Sequence, residues 1–202
     1  MKRLFVIILV ILAAYVVYKR IPWGKDMSRV EKMRLNYEAE IESICGEFQL
    51  PASYFKALTI LECSGEKPAL TRFEPHVYEV LLDVKNGQRG RYGRFTTQQM
   101  ELLSDETIKK LATSWGPLQI MGYHCIPLDI TFEQLSGNHA MRFAISWAEQ
   151  TYGKYLRKGD FENAFHIHNT GRPIPESGIP TTYDPNYIPN GIALIKMFEN
   201  EN

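Results

Sequence analysis

Two short stretches carry residue types suited to proton transfer beside a sugar: Ile60-Leu61-Glu62-Cys63-Ser64-Gly65, and, about fifty residues later, Ser114-Trp115-Gly116-Pro117-Leu118-Gln119-Ile120-Met121-Gly122. The first places a carboxylate at the end of an apolar segment. Phe55, Leu58 and Leu61 recur at helical spacing over Tyr54 to Glu62, and rows four and seven apart put Glu62 beside Leu58 and Phe55. A carboxyl held against apolar groups has its charged form disfavoured, so it keeps its proton to higher pH. That is the requirement for the general acid of glycosidic cleavage. The second stretch is a Gly/Gln turn of the kind against which a sugar can lie.

Taken together, the segments resemble the goose-type lysozyme and lytic transglycosylase superfamily, closest in motifs to phage and bacterial N-acetylmuramidases. In that family the catalytic Glu precedes Ser and a nearby Gly, a Gly-x-x-Gln-Ile-Met turn follows, and a Tyr-Asn-x-Gly turn comes later. The corresponding residues are Glu62-Cys63-Ser64-Gly65, Gly116-Pro117-Leu118-Gln119-Ile120-Met121 and His168-Asn169-Thr170-Gly171. Arg72-Phe73-Glu74-Pro75-His76-Val77-Tyr78 is similar to a Phe-Glu-x-His-Val-Phe segment. Tyr183-Asp184-Pro185-Asn186-Tyr187-Ile188 is similar to the segment whose Tyr approaches the catalytic Glu. The likeness runs from Met27 to Phe198, five motifs in order. Cys63 and His168 depart from it, standing where the family has Ser and Tyr.

The resemblance implies a mainly α, lysozyme-like single globular domain over residues 25–202, with room for a small β-hairpin. It implies cleavage of the β-1,4 bond between N-acetylmuramic acid and N-acetylglucosamine in peptidoglycan, by transglycosylation or hydrolysis. Glu62 is the expected acid/base, Glu74 the motif-matched candidate for a second carboxylate, and Ser64, Gly116, Gln119, Ile120, His168, Asn169, Gly171 and Tyr187 the expected substrate-side residues. A role for Glu74 in bonding His76 or a backbone amide is the competing reading, with His76 as a buried ring. The rival function is a non-catalytic wall-binding or structural subunit that retains the fold. No cofactor is implied.

At 202 residues and 45% hydrophobic, the chain is long enough to bury a core within one domain. Lys and Arg balance Asp and Glu at 23 each, so no bulk field points to nucleic acid. The one locally basic stretch, Lys85 to Arg94, reads as a solvated loop or hairpin, with contact to the peptide stems of the wall as its functional version. His166 and His168 project from different sides of a helix end and do not form a zinc pair, and Cys45, Cys63 and Cys125 fit no zinc spacing. Three cysteines allow at most one internal disulfide, and buried free thiols are expected for at least one.

Residues 1–24 read separately. Leu4 to Tyr18 is an unbroken apolar run between Lys2-Arg3 and Lys19-Arg20. As a helix it reaches ~22 Å against a hydrocarbon core of about 30 Å, a gap that snorkelling basic stems and an interfacial Trp23 partly close. Tyr15-Val16-Val17-Tyr18 after Ala13-Ala14 makes a poor cleavage site, which favours an uncleaved signal anchor in a lipid bilayer. Peptidoglycan as substrate sets the domain on the periplasmic or exterior side of an inner or virion membrane. Such an anchored enzyme suits a virion at entry or an envelope-spanning secretion machine.

Elsewhere the periodicity predicts helices. Val30, Met33, Tyr37, Ile41, Ile44 and Phe48 form one stripe from Met27, ending before Pro51; Asn138 is the expected cap of a helix over His139 to Arg157, and Asp160 of one stopping near Gly171. Thr131 and Gln134 match a capping box. From Pro173 to Pro189 the prolines predict an extended wrap, anchored by Ile174, Ile179, Tyr183, Tyr187 and Ile188, with a last helix after Asn190-Gly191.

Overall fold

The computed structural model describes residues 27–201; the apolar run Leu4 to Tyr18 and its proposed anchor lie outside them. Ser28 opens the first rod with a reciprocal capping box to Glu31. The rod consists of α1 (Arg29–Met33), a π-helical turn (Arg34–Glu38) and α2 (Ala39–Phe48), and it ends on a left-handed Gln49. The predicted stripe faces inward at Met33, Tyr37, Ile41 and Ile44. The π turn has a use: it carries Asn36 and Tyr37, whose side chains donate to the carbonyls of Gly65 (2.8 Å) and Glu66 (2.6 Å). The rod thereby clamps the loop that follows Glu62.

Helix α3 (Ala52–Cys63) is the central helix, buried at every residue from Tyr54 to Ile60. Its sequence permits this because the one cation in that span, Lys56, is paired with Glu38 and Glu42 of the rod at 2.8 and 2.7 Å. Around α3 pack α9 (Ala140–Leu156), α10 (Phe161–Thr170), whose N-cap is Asp160, and α11 (Tyr187–Glu199). Helix α9 starts one residue later than expected, with His139 rather than Asn138 at its N-cap, and kinks at Tyr152. Close approach of α11 to α10 depends on Gly191, where a Cβ would lie 2.5 Å from the Phe165 ring.

A second, smaller core is built by α4 (Pro75–Lys85), the hairpin β2 (Arg91–Tyr92) and β3 (Phe95–Thr96), α5 (Thr97–Met100) and α6 (Asp105–Leu111), around Leu81, Val84, Phe95, Met100, Ile108 and Leu111. The basic stretch is therefore a hairpin, paired Arg91 to Thr96 and Tyr92 to Phe95. Between the two cores runs a three-stranded antiparallel sheet in the order β1 (Arg72–Phe73), β4 (Thr113–Trp115), β5 (Ile120–Met121). A 3-10 turn (Gly122–His124), α7 (Cys125–Leu128) and α8 (Phe132–Ser136) lead from the sheet to α9, α8 with the predicted Thr131/Gln134 capping box.

The chain is thus mainly helical over one compact domain. Cys45, Cys63 and Cys125 are all free thiols. No helix among the described residues is long and apolar enough to cross a membrane.

Two expectations for the final stretch need correction. The last helix begins at Tyr187, three residues before Asn190, because Pro189 falls in its first turn, where a missing N–H breaks no helical bond. In the extended wrap, Ile174 packs on the main core, but Ile179 and Tyr183 are 68% and 100% exposed and anchor nothing. What holds the wrap is polar: buried His166 donates Nδ1–H to the Arg172 carbonyl (2.6 Å) and accepts at Nε2 from the Thr181 amide (3.0 Å), while the Ile174 amide donates to Asn163.

Candidate active site

Glu62 occupies the last turn of α3, where the helix end fixes its direction. Ser64 takes a left-handed conformation and returns its amide to the Ile60 carbonyl. Gly65 follows with φ 72°, and a Cβ there would come within 2.4 Å of the Met33 backbone nitrogen. This is a position only glycine fills, and it lets the loop pass against the rod. The Glu62 side chain is 17% exposed. Phe55 and Leu58, its expected neighbours on α3, are wholly buried.

Tyr187 completes the setting. The Asp184 carbonyl accepts from the Tyr187 amide and Asp184 Oδ1 from the Asn186 amide (2.8 Å), a turn that launches α11 with Tyr187 as its first residue. The Tyr187 hydroxyl donates to Glu62 Oε1. Burial raises the Glu62 carboxyl from the usual 4.5 to about 7, against smaller lowering effects from the Tyr187 hydroxyl and the Arg72 charge. The desolvation outweighs both. At neutral pH a large fraction of Glu62 carries a proton that it can give.

His168 borders the groove beside Glu62, with its side chain only 4% exposed and both ring nitrogens bonded within the protein. Since a carbonyl can only accept, Nε2 carries the proton donated to Leu118 O (3.0 Å), leaving Nδ1 to accept from the Tyr152 hydroxyl (2.8 Å). Burial drives its pKa down to about 4, so the ring is neutral at physiological pH. Nε2 lies 3.7 Å from Glu62 Oε1. His168 thus ties α9 and α10 to the Gly/Gln turn beside the acid.

That turn is itself tightly specified. Gly116 has φ 72° and no room for a Cβ, which would sit 2.1 Å from the Leu135 carbonyl oxygen. Gln119 also has a positive φ, 48°. Its amide nitrogen donates to the Leu70 and Gly116 carbonyls (2.8 and 2.9 Å), and its Oε1 accepts from the Ser114 hydroxyl (2.8 Å). Both amide hydrogens are therefore spent on the protein. Gln119 borders the groove as a tie that joins the 65–71 loop to the sheet. Ile120 is buried in the main core, and Gly116 lies behind the turn, in a separate 210 Å³ pocket with Tyr37, Lys67 and Met141.

Three adjoining depressions make one groove. The middle one, 360 Å³, is lined by Glu62, Arg72, Gln119, Asn169, Tyr183 and Tyr187 among others. On one side it shares Glu62, Arg72 and Gln119 with a 440 Å³ depression bounded by Ser64, Leu70 and Thr71. On the other it shares Arg72, Gln119, His168 and Asn169 with a 420 Å³ depression bounded by Glu74, Tyr92, Tyr123, Trp147 and Gly171. Glu62 faces the middle of this run. An extended polymer can lie along it with one bond at the carboxyl.

Of the residues singled out from sequence, Glu62, Ser64, Gln119, Ile120, His168, Asn169, Gly171 and Tyr187 are brought to the groove, Glu74 borders its far part, and Gly116 lies apart from it. Glu74 bonds neither His76 nor a backbone amide through its side chain. It accepts from Arg72 Nε at 2.5 Å. His76 is exposed at the start of α4, not buried, because the helix turns that face to solvent. Sequence reasoning passed over Arg72 and Asp184 as chemical groups; Asp184 is exposed and borders the same depression as Glu62. Cys63 points back along its helix, donating to the Thr59 carbonyl (3.3 Å), and burial pushes its thiol up to about 11. It is no nucleophile at neutral pH. No cluster of three or more His, Cys, Asp or Glu suited to a metal ion occurs among the described residues.

Comparison with known proteins adds no relative: no family model, no curated protein and no solved structure matches the chain.

Proposed function

We propose that this chain is a lysozyme-like peptidoglycan glycan-strand cleaver of the goose-type lysozyme and lytic transglycosylase kind, acting on the β-1,4 bond between N-acetylmuramic acid and N-acetylglucosamine. One observation carries the reading: a carboxyl with its pKa near 7 faces the middle of a continuous groove and is held by the Tyr187 hydroxyl. In this reading Glu62 gives its proton to the glycosidic oxygen as the C1–O bond breaks, and the acetamido oxygen of the muramic acid closes onto C1. Glu62, now a carboxylate, takes the proton of the C6 hydroxyl as that oxygen displaces the acetamido group. The product is a 1,6-anhydro end, and Glu62 is returned protonated.

A hydrolase needs a base to hold a water some 6.5 to 9.5 Å from the acid when it inverts. Pairing of Glu74 with Arg72 leaves it poorly suited to that task, which favours transglycosylation. An N-terminal anchor through Leu4 to Tyr18 extends the proposal to a membrane-tethered enzyme. Tethering suits local opening of the wall by a virion or a secretion machine.

Purified sacculi treated with the full chain and analysed by mass spectrometry test it. Soluble muropeptides with anhydro ends are expected, and none with the Glu62→Gln variant. Ends heavier by one water assign hydrolysis instead; free stem peptides, or equal release by the variant, overturn the assignment of Glu62.

A further inference from the structure

Among the described residues that line the three depressions, Arg72 is the only permanently charged cation, and it borders all three. Its backbone is fixed in β1 opposite Ser114. Nε is held by Glu74. The two terminal amino groups meet no partner among the described residues, and the side chain is 78% exposed. An exposed ion pair between residues two apart adds almost nothing to stability. The pair occupies Nε and leaves the terminal edge of the guanidinium free on a side chain that borders the same depressions as Glu62. A planar edge with parallel N–H donors matches a carboxylate.

We infer that Arg72 is a carboxylate-reading site, which takes a carboxylate borne by the glycan next to the bond being cut and so selects muramic-acid strands over neutral N-acetylglucosamine polymers. The inference rests on the glycan-cleaving reading and deepens it. Muramic acid differs from N-acetylglucosamine by a lactyl ether. Its carboxyl is either free or amide-linked to a peptide with carboxylates of its own, so both sources offer the same chemistry. Occupancy of Arg72 also has a consequence at the acid: an anion on the guanidinium offsets the charge that lowers the Glu62 pKa, so the bound strand helps Glu62 hold its proton.

The test is equilibrium binding to the full chain carrying Glu62→Gln, which leaves strands intact, with and without Arg72→Gln. Four ligands are used: chitotetraose, a peptide-free muramic tetrasaccharide with free lactyl carboxylates, the same tetrasaccharide with those carboxyls amidated, and a peptide-bearing strand. Arg72→Gln is expected to weaken carboxylate-bearing ligands by about five- to tenfold while leaving the neutral ones within about twofold. Weakening of the peptide-free acid assigns the lactyl carboxylate; weakening of the peptide-bearing strand alone assigns the stem. Arg72→Lys is expected to recover part of the loss, and thermal unfolding of both variants to match the parent. Equal loss on all four ligands, no loss on the acidic ones, or no binding of any overturns the inference. Wild-type cleavage is assayed separately. Absence of cleavage with Arg72-dependent binding defeats the cleavage reading alone, and cleavage with Arg72-indifferent binding defeats only this one.

Discussion

Glu62 and Glu74 border the same groove, yet the two cores of the molecule give them opposite environments. The main core sets two buried, hydrogen-bonded rings beside Glu62: Tyr187 on the carboxyl, and His168 between Leu118 and Tyr152. The smaller core offers Glu74 only the end of a two-residue strand, 28% exposed and neutralised by Arg72. Glu62 is 17% exposed and Glu74 28%. At Glu62 desolvation outweighs the lowering by the Tyr187 hydroxyl and the Arg72 charge, whereas Glu74 stands against a guanidinium that pairs with its charged form. Holding a proton calls for the dry wall, and reading a charge calls for the wet one.

Breaking the dry wall has the largest expected effect. Glu62→Gln removes the proton donor and is expected to lower sacculus cleavage by at least about a thousandfold, while Glu74→Gln lowers it by about tenfold or less through release of Arg72. The same Glu62→Gln substitution is expected to stabilise the fold in base. A carboxyl at about 7 when folded and 4.5 when unfolded costs nothing below pH 4.5, and the penalty grows as pH rises to 7. Above pH 7 the variant gains roughly 2–3 kcal/mol, an upper figure given partial exposure. Thermal unfolding at pH 4 and pH 8 checks the sign.

Smaller effects sharpen the contrast. Tyr187→Phe removes a group that lowers the Glu62 pKa, so the alkaline limb of the kcat/KM profile is expected to move above pH 7 while the rate falls about tenfold. His168→Phe strands the Leu118 carbonyl and the Tyr152 hydroxyl, for a loss of about 1–3 kcal/mol in denaturant unfolding. Gly191→Ala drives a methyl into Phe165 and costs about 1–3 kcal/mol in the main core. His76→Ala, exposed on the smaller core, is expected to change stability by no more than about 0.5 kcal/mol.

Much of the frame was legible from side-chain periodicity and caps. The stripe from Met33 to Ile44, the Asp160 cap with its Gly171 stop, and Glu62 on the apolar row of its helix all follow from local spacing. What escaped depends on partners distant in the chain. His168 has the position of a groove residue, but Leu118, fifty residues away, and Tyr152 claim both its nitrogens. Gln119 is drawn to the groove by its turn and then consumed by Leu70, Gly116 and Ser114. Ile179 and Tyr183 look like anchors by composition, yet the wrap is tied down by His166, whose hydrogen bonds leave no mark in hydropathy. The π turn at Arg34–Glu38 keeps the stripe facing inward and is invisible to a 3.6-residue pattern.

Titration of the Glu62 side chain by carbon-detected NMR, with the resonance assigned through Glu62→Gln, measures the property on which the proposed chemistry rests. A midpoint near pH 7 is expected, moving upward in Tyr187→Phe. A midpoint near 4.5, unmoved by that substitution, would show an ordinary solvated carboxylate and contradict its role as proton donor.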